Sequence, residues 1–349
     1  MRNVKEMLGY ILKRVLLMIF TFLVIFIICF ALVRLLPVPE ETGLGKDPEA
    51  WRKTQIALGR YYYDSQNNFV PTPIFEQFFV FLKNLIIPGT DDNGQLLSRW
   101  GYSWEIEFMT APDKLLFSKL PPTIVLNLFA SLFSVPIGIA LGIYMALKKN
   151  KWQDAVLSVV VMLFISVPSF VYAFLIQYIF GYVLEWLPPT RAPLDQSLGF
   201  LGWFTPEMLS SLVLPVLAMS FGSIAGYSRY TRAELTEVLT SDFMLLARTK
   251  GLSRTQATVR HAFRNSLVPI FPMLLGEIIG LLSGSIIIES IFTINGVGSL
   301  FLEAITKKDY DVFQFVAMFY ILIGLLGSLI VDISYGIVDP RIRMGGGKQ

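Results

Sequence analysis

Six long apolar runs dominate the sequence and limit what the chain can fold into. They cover residues 15–33, 120–147, 155–184, 208–228, 265–288 and 312–337. A single acid interrupts each of the last two runs, Glu277 in the fifth and Asp332 in the sixth, and the other four carry no charge. Because a helix needs about 20 mainly apolar residues to cross a bilayer, the pattern predicts an all-α integral membrane protein with about six transmembrane helices.

The scarcity of catalytic residue types argues against an enzyme. Charged residues make up only 16% of the 349, against about 25% in soluble domains. The single cysteine, Cys29, excludes an intramolecular disulfide and a multi-cysteine metal site. The single histidine, His261, cannot build a zinc-hydrolase site of a familiar kind. We therefore expect no catalytic residues, and no metal or cofactor bound by this chain.

Basic residues cluster in four segments that alternate with poorly basic ones. The basic segments are the N-terminal tail, residues 148–151, the loop 229–264 and the C-terminal tail. Since Lys and Arg near span ends mark the cytoplasmic side, both termini are predicted to be cytoplasmic. The expected organisation is a tail and first helix (1–36), an enlarged extracellular loop subdomain (37–115), a core of five helices (116–338) and a tail (339–349). Within 37–115, residues 75–82 are expected to form an amphipathic helix.

The loop 229–264 contains the pattern of a short helix at residues 242–251. Ser241 or Asp242 is placed to cap its start, and Gly251 to end it. One face carries Phe243, Leu246 and Ala247, and the last turn carries Lys250. A helix this short is not stable alone in water, so its apolar face needs a partner. Periodicity leaves open whether that partner is the chain's own bundle or another protein.

The same loop carries a recognisable motif. Ala247, Gly251, Leu267 and Pro269 stand at the places of the small residue, the Gly and the Leu-x-Pro of the cytoplasmic EAA loop. On these residues the chain resembles the permeases of binding-protein-dependent ABC importers. Residues 247–253, 260–262 and 264–265 are similar to the peptide/nickel subgroup, of OppB/DppB type.

Other segments also carry the resemblance, which is strong from about residue 100 to the end. The matching stretches are 10–14, 101–103, 120–123, 288–292, 295–298, 309–310, 332–335 and 339–341. The resemblance is weak over 40–95, where the chain is expanded. One departure is the Pro-Val-Pro-Glu at 37–40, where the family often has Pro-Gly-Asp-Pro. No function is therefore assigned to that turn.

The resemblance implies a type I ABC importer permease fold in the cell membrane. It implies that 242–251 is a coupling helix that seats in an ATPase subunit, with Asp242, Phe243, Leu246, Ala247, Lys250 and Gly251 as its residues. The implied partners are a second homologous permease, two ATPase subunits that bind ATP and Mg²⁺, and an extracellular substrate-binding protein. Consistently, the chain lacks a Gly-x-x-x-x-Gly-Lys-Ser/Thr phosphate loop. Peptides are the expected cargo.

Two alternatives remain open on the sequence. One is an importer permease for nickel, glutathione or another small solute. The other is a stand-alone proton-coupled carrier, for which Glu277 and Asp332 are the intramembrane acids.

The fifth run also supplies candidate pathway residues. Gly276, Gly280 and Gly284 are expected on one helical face, where they either permit close helix packing or line a translocation path. Glu277 is expected either to face a cavity or to make a structural hydrogen bond. Asp332 is expected to pair with a nearby basic residue. The candidate pathway residues are therefore Glu277, Gly280 and Gly284.

Overall fold

The structure is a computed structural model that describes residues 2–36, 48–90 and 96–338. The segments 37–40 and 339–341 discussed above lie outside these residues. The longer helices are α1 (Arg2–Leu35), α3 (Ile74–Ile86), α4 (Pro112–Leu147), α5 (Trp152–Ser166), α7 (Pro206–Leu239), α11 (Ile270–Gly280) and α14 (Tyr310–Val338). The shorter ones are α2 (Pro48–Ala57), α6 (Ser169–Ile176), α8 (Asp242–Thr249), α9 (Arg254–Ala257), α10 (Phe263–Ser266), α12 (Ile286–Ile291) and α13 (Val297–Thr306).

Four long helices and two bent helix pairs are apolar and long enough to cross a membrane. The long apolar segments are Leu8–Leu35, Pro112–Leu147, Pro206–Leu239 and Tyr310–Tyr335. The first bent pair is Trp152–Ser166 with Ser169–Val183, at 97°; the second is Thr255–Ser266 with Ile270–Gly280, at 52°. If each pair is one span, the described residues hold six, which confirms the predicted fold class.

A proline lies at each of the two bends. Pro168 directly precedes α6, and Pro269 directly precedes α11. A proline disfavours helical backbone at the residue before it and cannot donate a backbone hydrogen bond. The third and fifth apolar runs are therefore each interrupted at a proline.

The fourth span runs deeper into the basic segment than expected. α7 starts where Thr205 Oγ1 accepts a hydrogen bond from Met208 N at 3.3 Å, with Pro206 in the first turn. It ends only at Leu239. Residues 229–239, predicted to belong to a cytoplasmic loop, are thus the helical continuation of the span.

The chain divides into two compact units. The first includes residues 120–299 together with the described ends of the chain, 2–16 and 323–338. Its main core contains Leu126 of α4, Ala173 of α6, Leu214 of α7 and Phe292 beside α12. Small residues bring α4 and α7 close, since a Cβ on Gly142 would lie 2.6 Å from the Ser228 carbonyl oxygen.

The second unit contains the described parts of residues 17–119 and residues 300–322. An antiparallel hairpin of β1 (Tyr61–Tyr63) and β2 (Phe69–Pro71) precedes α3. The helix predicted at 75–82 is therefore present, as part of α3. This unit includes residues outside the predicted subdomain 37–115. The extracellular position of that subdomain stays a prediction.

Two aspartates organise the second unit. The Arg60 guanidinium donates to both carboxylate oxygens of Asp311, at 2.9 and 2.7 Å. Asp309 Oδ2 accepts from Ser103 Oγ at 2.6 Å and from the backbone N–H of Trp104 at 3.1 Å. Residues 101–103 and 309–310, two of the stretches that carry the resemblance, therefore lie side by side.

Candidate coupling site and pathway residues

Helix α8 starts at Asp242, as expected, but without the predicted serine cap. Ser241 is in extended backbone conformation, and its side chain makes no capping bond. Its Oγ instead donates to the Val238 carbonyl oxygen at 2.6 Å. The predicted Ser241 cap is wrong because that hydroxyl bonds back to the end of α7. Asp242 remains in the first turn, where its charge favours the helix N-terminus.

The C-terminus of α8 ends in a glycine turn. Gly251 has a φ of 89°, a left-handed conformation that side chains with a Cβ rarely adopt. Gly251 N donates to the Arg248 carbonyl oxygen at 3.0 Å, and Leu252 N donates to that of Ala247 at 3.4 Å. This pair of bonds is the Schellman motif. Leu252 and Ala247 also pack on the same apolar cluster. The predicted stop at Gly251 is confirmed.

The buried and exposed sides of α8 do not coincide with the apolar face that was predicted from the sequence. Met244 is buried in a cluster with Leu235 of α7 and Ala146 of α4, and Ala247 packs against the same cluster. Ala247 is therefore a contact to the chain's own bundle, not part of an exposed face.

The exposed side of α8 is apolar. Phe243, Leu245 and Leu246 are 42%, 63% and 55% exposed. Sequence reasoning missed Leu245, because helical spacing alone does not say which of two apolar stripes the bundle covers. Asp242 and Lys250 are also exposed. The coupling role of all six predicted residues stays a prediction.

The chain after Gly251 is also a folded support. Ser253 Oγ accepts from Gln256 N at 3.3 Å, and Gln256 Oε1 accepts from Ser253 N at 3.1 Å. This is a capping box, which the Ser-x-x-Gln spacing could have revealed. Ala257 and Ala262 then bury against the cluster that holds Met244. His261 is exposed. The segment beyond α8 therefore helps to hold it.

A partly buried ion pair connects α7 to α5. Arg232 Nε and Nη2 donate to Asp154 Oδ1 and Oδ2 at 2.6 and 2.7 Å. Asp154 also accepts from Asn150 N at 3.2 Å. Two parallel bonds between a guanidinium and a carboxylate are strong and directional. Sequence reasoning counted Arg232 only as a positive charge of the loop.

Glu277 of α11 is held by hydrogen bonds from two other helices. Ser131 Oγ of α4 donates to its Oε1 at 2.9 Å, and Tyr227 Oη of α7 donates to its Oε2 at 3.5 Å. Its side chain is half-buried. The contacts provide the structural hydrogen bond that was one of the two expectations. A pathway role for Glu277 stays a prediction.

The predicted stripe of three glycines is wrong in its last member. Helix α11 ends at Gly280, so Gly284 does not share a helical face with Gly276 and Gly280. Gly280 borders open space, whereas a Cβ on Gly284 would lie 2.8 Å from Glu289 Oε1. Gly284 is thus a packing residue, and a pathway role for Gly280 is untested.

Glu289 is the centre of a buried polar network that sequence reasoning missed. Its carboxylate accepts from Thr123 Oγ1 and from Ser299 N, each at 2.9 Å. Thr123 Oγ1 in turn accepts from Val297 N at 2.8 Å. Burial raises the pKa of Glu289, and the hydrogen bonds from Ser299 and Thr123 oppose that rise. The network joins α4 to the first turn of α13.

Asp332 has the partner that was expected. Arg14 Nη1 lies 3.0 Å from Asp332 Oδ2, and the Arg14 guanidinium lies over the Tyr10 ring, 5.4 Å from its centroid. The predicted pairing with a basic residue is confirmed. It also brings together residues 10–14 and 332–335, which carry the resemblance at the two ends of the chain.

Together, the helices that are long and apolar enough to span a membrane and the folded loop with its exposed apolar helix describe a multi-pass membrane protein. Comparisons with known proteins agree. The model of the family described as "Binding-protein-dependent transport system inner membrane component" matches residues 138–344. The chain therefore belongs to this family of inner-membrane permeases.

Relatives match over almost the whole chain. It is 32% identical over 338 residues to the dipeptide transport system permease protein DppB of Bacillus subtilis (strain 168), covering 96% of this chain and 98% of that protein. It is 30% identical to DppB of Lactococcus lactis subsp. cremoris (strain MG1363), covering 97% and 100%. It is 31% identical to the glutathione transport system permease protein GsiC of Salmonella typhi, covering 97% and 99%. The resemblance drawn from the sequence is confirmed.

Proposed function

We propose that this chain is the permease subunit of an ATP-driven importer for peptides. It forms half of the translocation pathway, and a second homologous permease forms the other half. An extracellular binding protein delivers the cargo, and both termini are cytoplasmic. The relatives named for dipeptide transport support the peptide cargo. The relative named for glutathione transport keeps glutathione as the second candidate.

The observation that carries the proposal is the exposed apolar side of α8. Phe243, Leu245 and Leu246 form a patch on a short helix within a basic segment. Contiguous exposed apolar surface marks an interaction site, and its burial yields about 25 cal/mol per Å². We infer that this patch docks into one of two separate ATPase subunits, which bind ATP and Mg²⁺.

The opposite side of α8 explains how the docking is transmitted. Met244 and Ala247 fasten the helix to the apolar cluster shared by α4 and α7. The glycine turn and the capping box fix where the chain leaves it. Arg232 and Asp154 connect α7 to α5. Movement of an ATPase subunit would therefore displace helices of the bundle instead of unfolding a loop.

The test replaces an apolar contact by a charge. In the assembled importer, Phe243→Glu is expected to weaken binding of the ATPase subunits about 100-fold, since an unpaired buried charge costs about 3 kcal/mol or more. Peptide uptake should fall to background. The matched control is Thr255→Glu, which adds the same charge to an exposed position of α9.

Co-purification of the ATPase subunits and ATP-driven uptake are the measurements. The control should retain both. Undiminished co-purification and uptake in Phe243→Glu would refute docking at α8.

A further inference from the structure

We propose that α3 is a lipid-embedded helix. It lies in the acyl-chain layer at the Leu35 end of α1, and Phe75, Phe79 and Ile86 contact lipid.

The first argument is that α3 is apolar on its outer side as well as on its inner side. Phe81 is buried against α1, while Phe75, Phe79 and Ile86 are 82%, 67% and 77% exposed. The amides of Gln77 and Asn84 lie on the inner side, each only 8% exposed. A helix on the surface of a soluble protein exposes a polar face. An outer face with three large apolar side chains suits an apolar surrounding.

The inward amides have polar surroundings within the protein. Gln77 Nε2 donates to the Thr72 carbonyl oxygen at 2.7 Å. Gln77 and Asn84 both line a small cavity that Arg34 and Arg60 also line. The cavity is about the size of one water molecule. Both amides of α3 therefore lie on the protein side of the helix.

The second argument is depth. The Phe81 ring stacks on Phe26 of α1, with centroids 5.8 Å apart, and on Phe30, at 5.3 Å. Phe26 precedes Leu35, the last residue of that span, by about 14 Å at 1.5 Å per residue. The hydrocarbon core is about 30 Å thick. α3 therefore packs beside α1 within the apolar layer of one leaflet.

The third argument is the position of the charges. Glu76 and Lys83 are both exposed and seven residues apart, so they lie on one side of α3. Charged side chains beside an apolar stripe reach the headgroups while the stripe enters the acyl chains. α1, on which α3 packs, likewise exposes apolar side chains, among them Leu23 and Ile27. Lipid is the occupant that fits both features.

The experiment measures what contacts α3 in the assembled importer. Phe79→Cys is made in a Cys29→Ala background, labelled with a nitroxide and reconstituted into vesicles of phosphatidylethanolamine and phosphatidylglycerol. Collisions with oxygen, which is concentrated in lipid, are compared with collisions with a water-soluble nickel chelate. Ile27→Cys on α1 is the lipid-facing control. Gln66→Cys in the exposed hairpin turn is the water-facing control.

The proposal predicts that the oxygen-to-nickel ratio at position 79 matches that at 27 and exceeds that at 66 several-fold. If the Phe79→Cys variant has a lowered melting temperature, a nitroxide at position 75 provides a second measurement of the oxygen-to-nickel ratio. A nickel-accessible label would place α3 in water and overturn the proposal. A label shielded from both probes would show a protein partner on this face, which also overturns it.

Discussion

The end of α8 and the corner between α12 and α13 both depend on glycine, but for opposite reasons. Gly251 has a φ of 89°, and nothing lies within 4 Å of where its Cβ would be. Gly298 has no positive φ. A Cβ there would lie 2.7 Å from Ile286 N and 3.0 Å from Glu289 Oε2. The first glycine is required by backbone shape, and the second by lack of space.

This difference separates two kinds of site. Around Glu289 the carboxylate is buried and accepts hydrogen bonds from residues of the chain itself. Around α8 the chain supplies one side, through Met244 and Ala247, and leaves the other side apolar and open. The first region is built for stability, and the second for a partner. The predictions below test that division.

The largest expected effect is on stability, from Glu289→Ala. The substitution removes the carboxylate that accepts hydrogen bonds from Ser299 N and Thr123 Oγ1. Loss of a buried hydrogen-bonding partner costs about 1–3 kcal/mol, so unfolding should become easier by about 3 kcal/mol. The measurement is the thermal midpoint in detergent.

The control for this substitution is Glu303→Ala. It removes a carboxylate from a solvent-exposed pair with Lys307, and its cost should be within about 0.5 kcal/mol. Equal midpoints for the two variants would contradict a stabilising network at Glu289.

A smaller loss is expected for Gly298→Ala, which forces a methyl group against backbone and carboxylate. Overpacking of this kind costs about 1–3 kcal/mol. The matched substitution is Gly222→Ala in α7, where a Cβ would meet nothing within 4 Å. This substitution should be neutral or slightly stabilising. A thermal midpoint for Gly298→Ala as high as that of Gly222→Ala would show that the corner has room to adjust.

The smallest stability effect is expected at Gly251. Gly251→Ala should cost about 1 kcal/mol because of the left-handed backbone, and Gly251→Asn should cost less because Asn tolerates it. Uptake per ATP hydrolysed should fall in the Gly251→Ala variant and be largely retained in Gly251→Asn. Equal losses in both would indicate that side-chain volume at the interface, and not backbone shape, matters there.

The parts of the fold that were predictable from sequence are those set by local pattern. The six apolar runs and the stop at Gly251 depend on residues next to one another. The exposed stripe of α8 was assigned only in part, because the side that the bundle covers depends on contacts with α4, such as that of Ala146, which is distant in sequence.

The Glu289 network was not predictable for the same reason. Its Thr123 partner is 166 positions away, and a lone acid at the end of an apolar run has no distinctive spacing. The partner of Asp332 was expected in kind but not in identity, since Arg14 lies near the opposite end of the chain.

The central claim is that the open side of α8 contacts an ATPase subunit, and cross-linking tests it most directly. In native membranes, Leu246→Cys in a Cys29→Ala background is labelled with a thiol-reactive reagent that carries a photoactivatable group, and then irradiated, with Gln66→Cys as control. The account predicts an adduct between position 246 and a chain that carries a phosphate-loop motif, and none from position 66. Active importer in which Leu246→Cys gives no such adduct would contradict it.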